Sequence, residues 1–402
     1  MSARPTDGPG DSPAPMAASW RALGAIGVGA FALVTTEFLP IGLLPQIARD
    51  MAITEGHAGL AITTSGLLAA LAAPATIALA GTFDRRKLLL VLLGMLLLSN
   101  VIVAMAPGFL ILLSGRVLLG AAIGAFWTIA GPLGPRLRPG PQAGLGTAII
   151  LSGVSLGTVA GVPAGALVSE LLGWRLAFGV SAIGAFAVLL AVSYLVPPLP
   201  ATSASGINDL KLALKNRKVR FGLAGTVVSF AGQFAAYTYI APFLIQVARV
   251  TPLMVSAVLF AFGIAGVAGN MLGGWAVGKS IRWALVGTLG LLGASLSMLV
   301  IVGANPIVAI LLIALWGLGF GMQPIVTQSW MFDAAPGQLE GVQAVFVSAA
   351  QMSIGGGALL GGLVFDRFGL DAAFLLAVAT AFATAAMFAS QGSAAPGQAV
   401  PR

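Results

Sequence analysis

The chain has 402 residues, of which 58% are hydrophobic and only 8% charged, and its mean hydropathy is +1.01. Soluble domains carry about 25% charged residues, so this composition excludes a soluble globular enzyme. The absence of Cys removes disulfides, thiolate metal sites and cysteine nucleophiles, and the single histidine, His57, cannot build a His-rich metal site; neither metal nor cofactor is expected.

Residues 1–18 are polar and Pro-rich (TDGPGDSPAP), without the charged-then-apolar pattern of a signal peptide, and are expected to form a disordered tail. Stretches long enough to cross a bilayer need about 20 apolar residues. Twelve follow in order, near 20–44, 57–80, 88–106, 109–131, 143–168, 174–196, 219–244, 252–277, 283–302, 306–327, 340–364 and 370–390. The longest polar interruption, VPPLPATSASGINDLKLALKNRKVR (196–220), falls between spans six and seven. The domain reading is therefore an N-terminal six-helix bundle over 19–196, a linker over 197–218, a C-terminal six-helix bundle over 219–391 and a tail over 392–402. An even number of spans puts both termini on one side. Of the 20 Lys and Arg residues, Arg49, Arg175, Arg249 and Arg367 fall on the other side and Arg116 lies within a span; the rest gather with the termini. The positive-inside rule makes that side cytoplasmic, so the net charge of +8 is a topology signal and no nucleic-acid partner is expected.

The halves carry traces of a repeat. GALVSELLGWRLAF (165–178) matches GGLVFDRFGLDAAF (361–374) at six of fourteen positions, offset by 196. At nearly the same offset, residues 65–81 face residues 262–278, aligning Gly66 with Gly263. The fold expected is an all-α membrane protein of twelve transmembrane helices in two pseudo-symmetric six-helix bundles, a plan that many secondary transporters share, with the solute site near the midplane between halves.

Four local patterns carry a family resemblance: GTFDRRK (81–87) between spans two and three, RVLLG (116–120) in span four, GVPAG (161–165) followed by GWRLAF (173–178) around span five, and TEFLPIGLLPQIA (36–48) with QFAAYTYIAPFL (233–244) in spans one and seven. Together they resemble the major facilitator superfamily, and within it the bacterial drug:proton antiporter group that includes arabinose, sugar and purine-nucleoside efflux permeases. The resemblance implies a multi-pass protein of the bacterial inner membrane, monomeric, surrounded by lipid, exchanging protons for a small solute and linked to multidrug resistance.

Glu37 is the chemical anomaly. A charge at the bilayer centre costs roughly 3 kcal/mol on insertion scales, yet Glu37 lies in span one, and Arg116 lies at matching depth in span four. The two suit mutual compensation, directly or through water. Arg116, Gly120, Gly124 and Trp127 share one helix face, and the glycines admit a close neighbour. The resemblance links this acid and this arginine to proton coupling. A static buried ion pair that merely sets packing is the plain alternative.

For the solute, apolar and aromatic walls with few polar groups are wanted. Phe230, Gln233, Phe234 and Tyr237 in span seven, Asn270 in span eight, and Trp316 and Gln323 in span ten fit, with Trp127 from span four. None is charged, which suits a neutral or amphipathic solute: drug, sugar or nucleoside. Asp84 and Arg85 are gate residues by resemblance; in the family the loop Asp caps a helix of the opposite half in the outward-open state. Gly161, Pro163 and Gly165 form a close-packing, bending face. GGWAVGKS (273–280) matches a phosphate-binding pattern, but that pattern needs a strand–loop–helix setting, and no catalytic cluster is found. The reading is a proton-coupled exporter working by alternating access; an importer would use the same architecture.

Overall fold

A computed structural model describes residues 20–79, 83–138, 143–200, 207–336 and 339–390. The terminal tails expected at 1–18 and 392–402, and Gly81 of the signature loop, lie outside them.

The chain folds into helices α1 (Trp20–Asp50), α2 (Glu55–Ala58), α3 (Leu60–Leu79), α4 (Arg85–Ala104), α5 (Phe109–Leu137), α6 (Ala143–Leu156), α7 (Val162–Leu172), α8 (Trp174–Leu195), α9 (Ile207–Lys215), α10 (Arg217–Tyr237), α11 (Ile240–Gln246), α12 (Pro252–Lys279), α13 (Ile281–Val302), α14 (Pro306–Ala334), α15 (Leu339–Phe368) and α16 (Leu370–Ala389). Among the described residues they make twelve segments long and apolar enough to span a membrane. Side-chain caps set several starts: Asp84 for α4, Asn216 for α10, Thr251 for α12, Ser280 for α13 and Asn305 for α14, the third and fifth followed by Pro at the first helical position.

Several boundaries differ from the sequence expectation, among them the ends of α5 at Leu137 and of α14 at Ala334, expected near 131 and 327. Span one runs on through Pro40 and Pro45 to Asp50, because a proline removes one backbone donor without unwinding a helix whose freed carbonyls find other partners. The linker is not wholly irregular: α9 occupies part of it, with Ala213 fully buried. Span five contains a wide turn at Gly157–Gly161 between α6 and α7. Pro163 has no N–H to offer, and the preceding Val162 N–H reaches back five residues to the Gly157 carbonyl.

The pseudo-symmetry is written in matching contacts. The glycine row of span five lies along span one, Gly161 on Thr35 and Gly165 on Leu39; in the other half Gly357 lies on Ala231 and Gly361 on Ala235. Gly120 abuts Ser65 and Gly124 abuts Ala69 between α5 and α3, while Gly317 abuts Phe262 and Gly321 abuts Gly266 between α14 and α12. Gly173 and Gly369, paired by the sequence repeat, both turn the chain at φ 89°, a region that favours glycine.

The halves meet away from the termini, on what is termed the distal side. Gly66 approaches Gly355 between α3 and α15, and Gly263 approaches Val159 between α12 and span five. Nearer the distal end Gly42 faces Leu259 of α12, and Asp366 of α15 accepts hydrogen bonds from Thr54 Oγ1 (2.6 Å) and the Gly56 N–H (3.1 Å). Toward the terminal side α12 exposes Asn270, Met271 and Trp275.

Candidate functional site

Arg116 is fully buried and every donor it uses points at α1 or α3. Nε donates to the Ala61 carbonyl (2.8 Å), one terminal nitrogen to the Thr36 carbonyl (2.8 Å), and the other to the Glu37 carbonyl (2.8 Å) and Ser65 Oγ (3.0 Å). Local sequence explains why these carbonyls are available. Pro40 stands four residues after Thr36 and has no N–H to give it, so Arg116 supplies the missing donor.

Glu37 is buried, 3% exposed, but among the described residues no ion pair joins its carboxylate to Arg116. The sequence pairs the two through their charges; the structure pairs the guanidinium with the backbone of the acid instead. The carboxylate accepts its hydrogen bond from the opposite half, from Gln351 Nε2 of α15 at 3.3 Å. Beside it, Asn100 Nδ2 donates to Thr36 Oγ1 (3.3 Å). Gln351 was legible only as one more amide in span eleven. No sequence signal tied it to Glu37, because that contact crosses between halves.

The predicted aromatic wall is assembled. Trp316 donates through Nε1 to Gln233 Oε1 at 2.7 Å, both buried. Tyr237 stacks on Phe262 with centroids 4.9 Å apart and meets Phe320 at 5.0 Å; Phe234 contacts Tyr237 at 5.9 Å and Phe320 at 5.8 Å. Phe230 meets Phe346 edge-on at 6.3 Å. Phe38, the neighbour of Glu37, stacks on Phe234 across the halves at 5.8 Å and 23°. Phe38 and Phe234 are related by the 196-residue offset, and so are Glu37 and Gln233. The stack therefore straddles the pseudo-twofold axis. Among the described residues the buried amide nitrogens Gln233 Nε2 and Gln323 Nε2 have no hydrogen-bond partner, although a buried amide wants partners. Trp127 is half-buried against Phe126 in the N-terminal half (6.1 Å). Asn270 is exposed on α12 rather than buried in the wall.

The model of the Major Facilitator Superfamily matches residues 26–356. The chain belongs to the Major Facilitator Superfamily. Among members, it is 31% identical to the "Purine ribonucleoside efflux pump NepI" of Salmonella paratyphi A, over 88% of this chain and 89% of that protein. It is 35% identical to the "Transcription regulatory protein OpdE" of Pseudomonas aeruginosa, over 96% of this chain and 95% of that one. The fold resembles the crystal structure of the human organic anion transporter MFSD10, with a TM-score of 0.68 and 17% identity over 93% of this chain and all of that one. The protein is thus a multi-pass membrane transporter of this superfamily and not an enzyme.

The residues expected at the gate bind locally. Asp84 caps its own helix, accepting from the Arg86 N–H (2.8 Å) and Lys87 N–H (3.2 Å), and takes the Leu199 N–H at 3.0 Å. The Arg85 N–H donates to the Leu199 carbonyl at 2.8 Å. Both residues bind the start of α4 and the first residues of the linker in this structure, whose halves are joined on the distal side. Gly161 ends the wide turn against Thr35 of α1, while Pro163 and Gly165 lie in the first turn of α7, with Gly165 against Leu39 of α1. Arg175 pairs with Asp50, donates to the Ala106 carbonyl (3.1 Å) and so ties spans one, three and six. GGWAVGKS is helical as far as Lys279, whose ammonium sits over the Trp275 ring; a phosphate-cradling loop does not form there.

Proposed function

We propose that this superfamily member exports a small neutral or amphipathic solute, with a purine nucleoside as the leading case, in exchange for protons by alternating access. The observation that carries the reading is Glu37: a buried acid at the meeting of the two halves, with no ion-pair partner among the described residues and hydrogen-bonded across to α15. The charge state of a buried carboxyl depends on the groups around it. Swinging the halves changes what surrounds it, so its proton affinity differs between the two open forms. Glu37 loads from the distal side, releases on the terminal side, and Arg116 holds the backbone around it in both.

The solute binds against the wall of Phe234, Tyr237, Trp316 and Phe320, its flat apolar face on the rings and its polar edge on the Gln233 and Gln323 amides. The orientation that goes with this reading has both termini in the cytoplasm, and the basic residues that gather on their side support it. The nucleoside reading is supported by the efflux-pump relative and by the absence of any charged group in the wall.

The test is uptake of radiolabelled purine nucleosides into inverted vesicles under an imposed pH gradient. Accumulation driven by an acidic interior is expected, with Glu37→Gln abolishing it while exchange across equal pH persists. Gradient-driven accumulation at parental levels in Glu37→Gln would overturn the coupling, and movement only in the opposite direction would make the protein an importer.

A further inference from the structure

Gln351 carries a feature that Arg116 and the aromatic wall do not account for. Its side chain is buried, 4% exposed, and reaches from the C-terminal half to the Glu37 carboxylate, while its own Oε1 has no partner. The reach is built in. One turn beyond it, Gly355 lets α15 touch α3 backbone to backbone at Gly66, which fixes the amide beside the acid.

We propose that Gln351 is the positioning residue that reads the protonation state of Glu37 and holds the empty, ionised carrier in its distal-closed form. An ionised carboxylate can only accept, and a hydrogen bond to a charged acceptor is roughly twice as strong as a neutral one. Loss of the proton on the terminal side therefore tightens the tie between halves while no solute is bound. A carrier so held does not return unloaded, which is what keeps proton flow and solute flow together. Protonation weakens the tie and frees the distal seam to part. The unpartnered Oε1 gives the amide a second use: an arriving solute that offers it a donor draws Gln351 off Glu37 and releases the ionised form for export.

The groups around Glu37 leave it as the titrating element. Arg116 of α5 is the charged neighbour; α3 contributes Ser65, α4 contributes Asn100 and α15 contributes Gln351. None of these last three ionises in the working range.

The inference rests on the coupling reading of Glu37 and is tested separately from it. The chain has no Cys, so one introduced by Ala58→Cys, fully buried at the distal seam, reports opening through its labelling rate with a membrane-impermeant maleimide. Rates are corrected for the thiolate fraction of a model thiol. Labelling is expected to slow by about five- to tenfold from mildly acidic to alkaline buffer, the difference between a neutral and a charge-assisted hydrogen bond. Gln351→Met, which keeps length and removes both amide groups, is expected to label fast throughout; a packing defect alone would raise the rate equally at both ends and leave the pH ratio intact. Gln351→Asn guards against misfolding of the first variant and should fall between. A parental pH ratio in both variants overturns the role of Gln351 provided Glu37→Gln flattens the profile. If Glu37→Gln keeps the parental profile, the coupling reading itself fails.

Discussion

The two halves share a skeleton and differ in what they place on it. Gly120 and Gly124 seat α5 on α3 as Gly317 and Gly321 seat α14 on α12, and the contacts match position for position. Onto that frame the N-terminal half puts Glu37 and Arg116, where the equivalent positions of the C-terminal half are Gln233 and Ile313. Both halves still join the first helix of the bundle to the fourth at this level: Arg116 donates to the Thr36 and Glu37 carbonyls, and Trp316 donates to Gln233. One half keeps a group that can change charge; the other keeps a neutral amide in an aromatic setting. On the proposed reading the contrast separates labour, with proton handling on one side of the pseudo-twofold axis and solute recognition on the other, and the Phe38–Phe234 stack lies between them.

Making the halves more alike breaks this division, and the largest effect is expected at Arg116. Arg116→Ile copies Ile313 into the N-terminal half and strips buried carbonyls of Thr36, Glu37 and Ala61 of donors. A loss of about 3–5 kcal/mol is expected, as for truncation of a buried hydrogen-bonded charge, read as a large fall in the thermal unfolding midpoint of the purified protein.

The shared skeleton predicts an equal pair of smaller effects. Gly124→Val drives a side chain into the Ala69 carbonyl and Gly321→Val into the Gly266 carbonyl; each should cost about 1–3 kcal/mol by overpacking. Unequal midpoints for the two variants would show that the bundles are not equivalent scaffolds. Smallest is Trp316→Phe, which keeps a ring but takes the N–H from Gln233. About 1 kcal/mol is expected, appearing mainly as weaker solute binding by calorimetry, with the pH dependence of transport unchanged.

The sequence displayed the spans because a continuous apolar run needs no partner to be recognised, and the central linker and basic residues sorted them. It displayed much of the aromatic cluster as well, since Phe230, Phe234 and Tyr237 recur at helical spacing in span seven. The manner in which Arg116 serves Glu37 was less plain. Charge complementarity suggests a carboxylate partner, but Pro40, which strips Thr36 of its helical donor, is the signal that a backbone carbonyl was waiting. The equivalence of Glu37 and Gln233 was present in the aligned TTEFLP and AGQFAA segments, where only the phenylalanine is identical. The Gln351 contact and the exposure of Asn270 depend on how the two bundles dock, and no local pattern encodes that.

The central claim is that Glu37 gains and loses a proton as its surroundings change. Infrared difference spectroscopy of the purified protein, titrated from mildly acidic to alkaline buffer, tests it most directly. A protonated-carboxyl band that disappears as pH rises, shifts its midpoint when purine nucleoside is added, and is missing in Glu37→Gln is the predicted result. A spectrum in which Glu37→Gln removes no titrating band across that range would contradict the account.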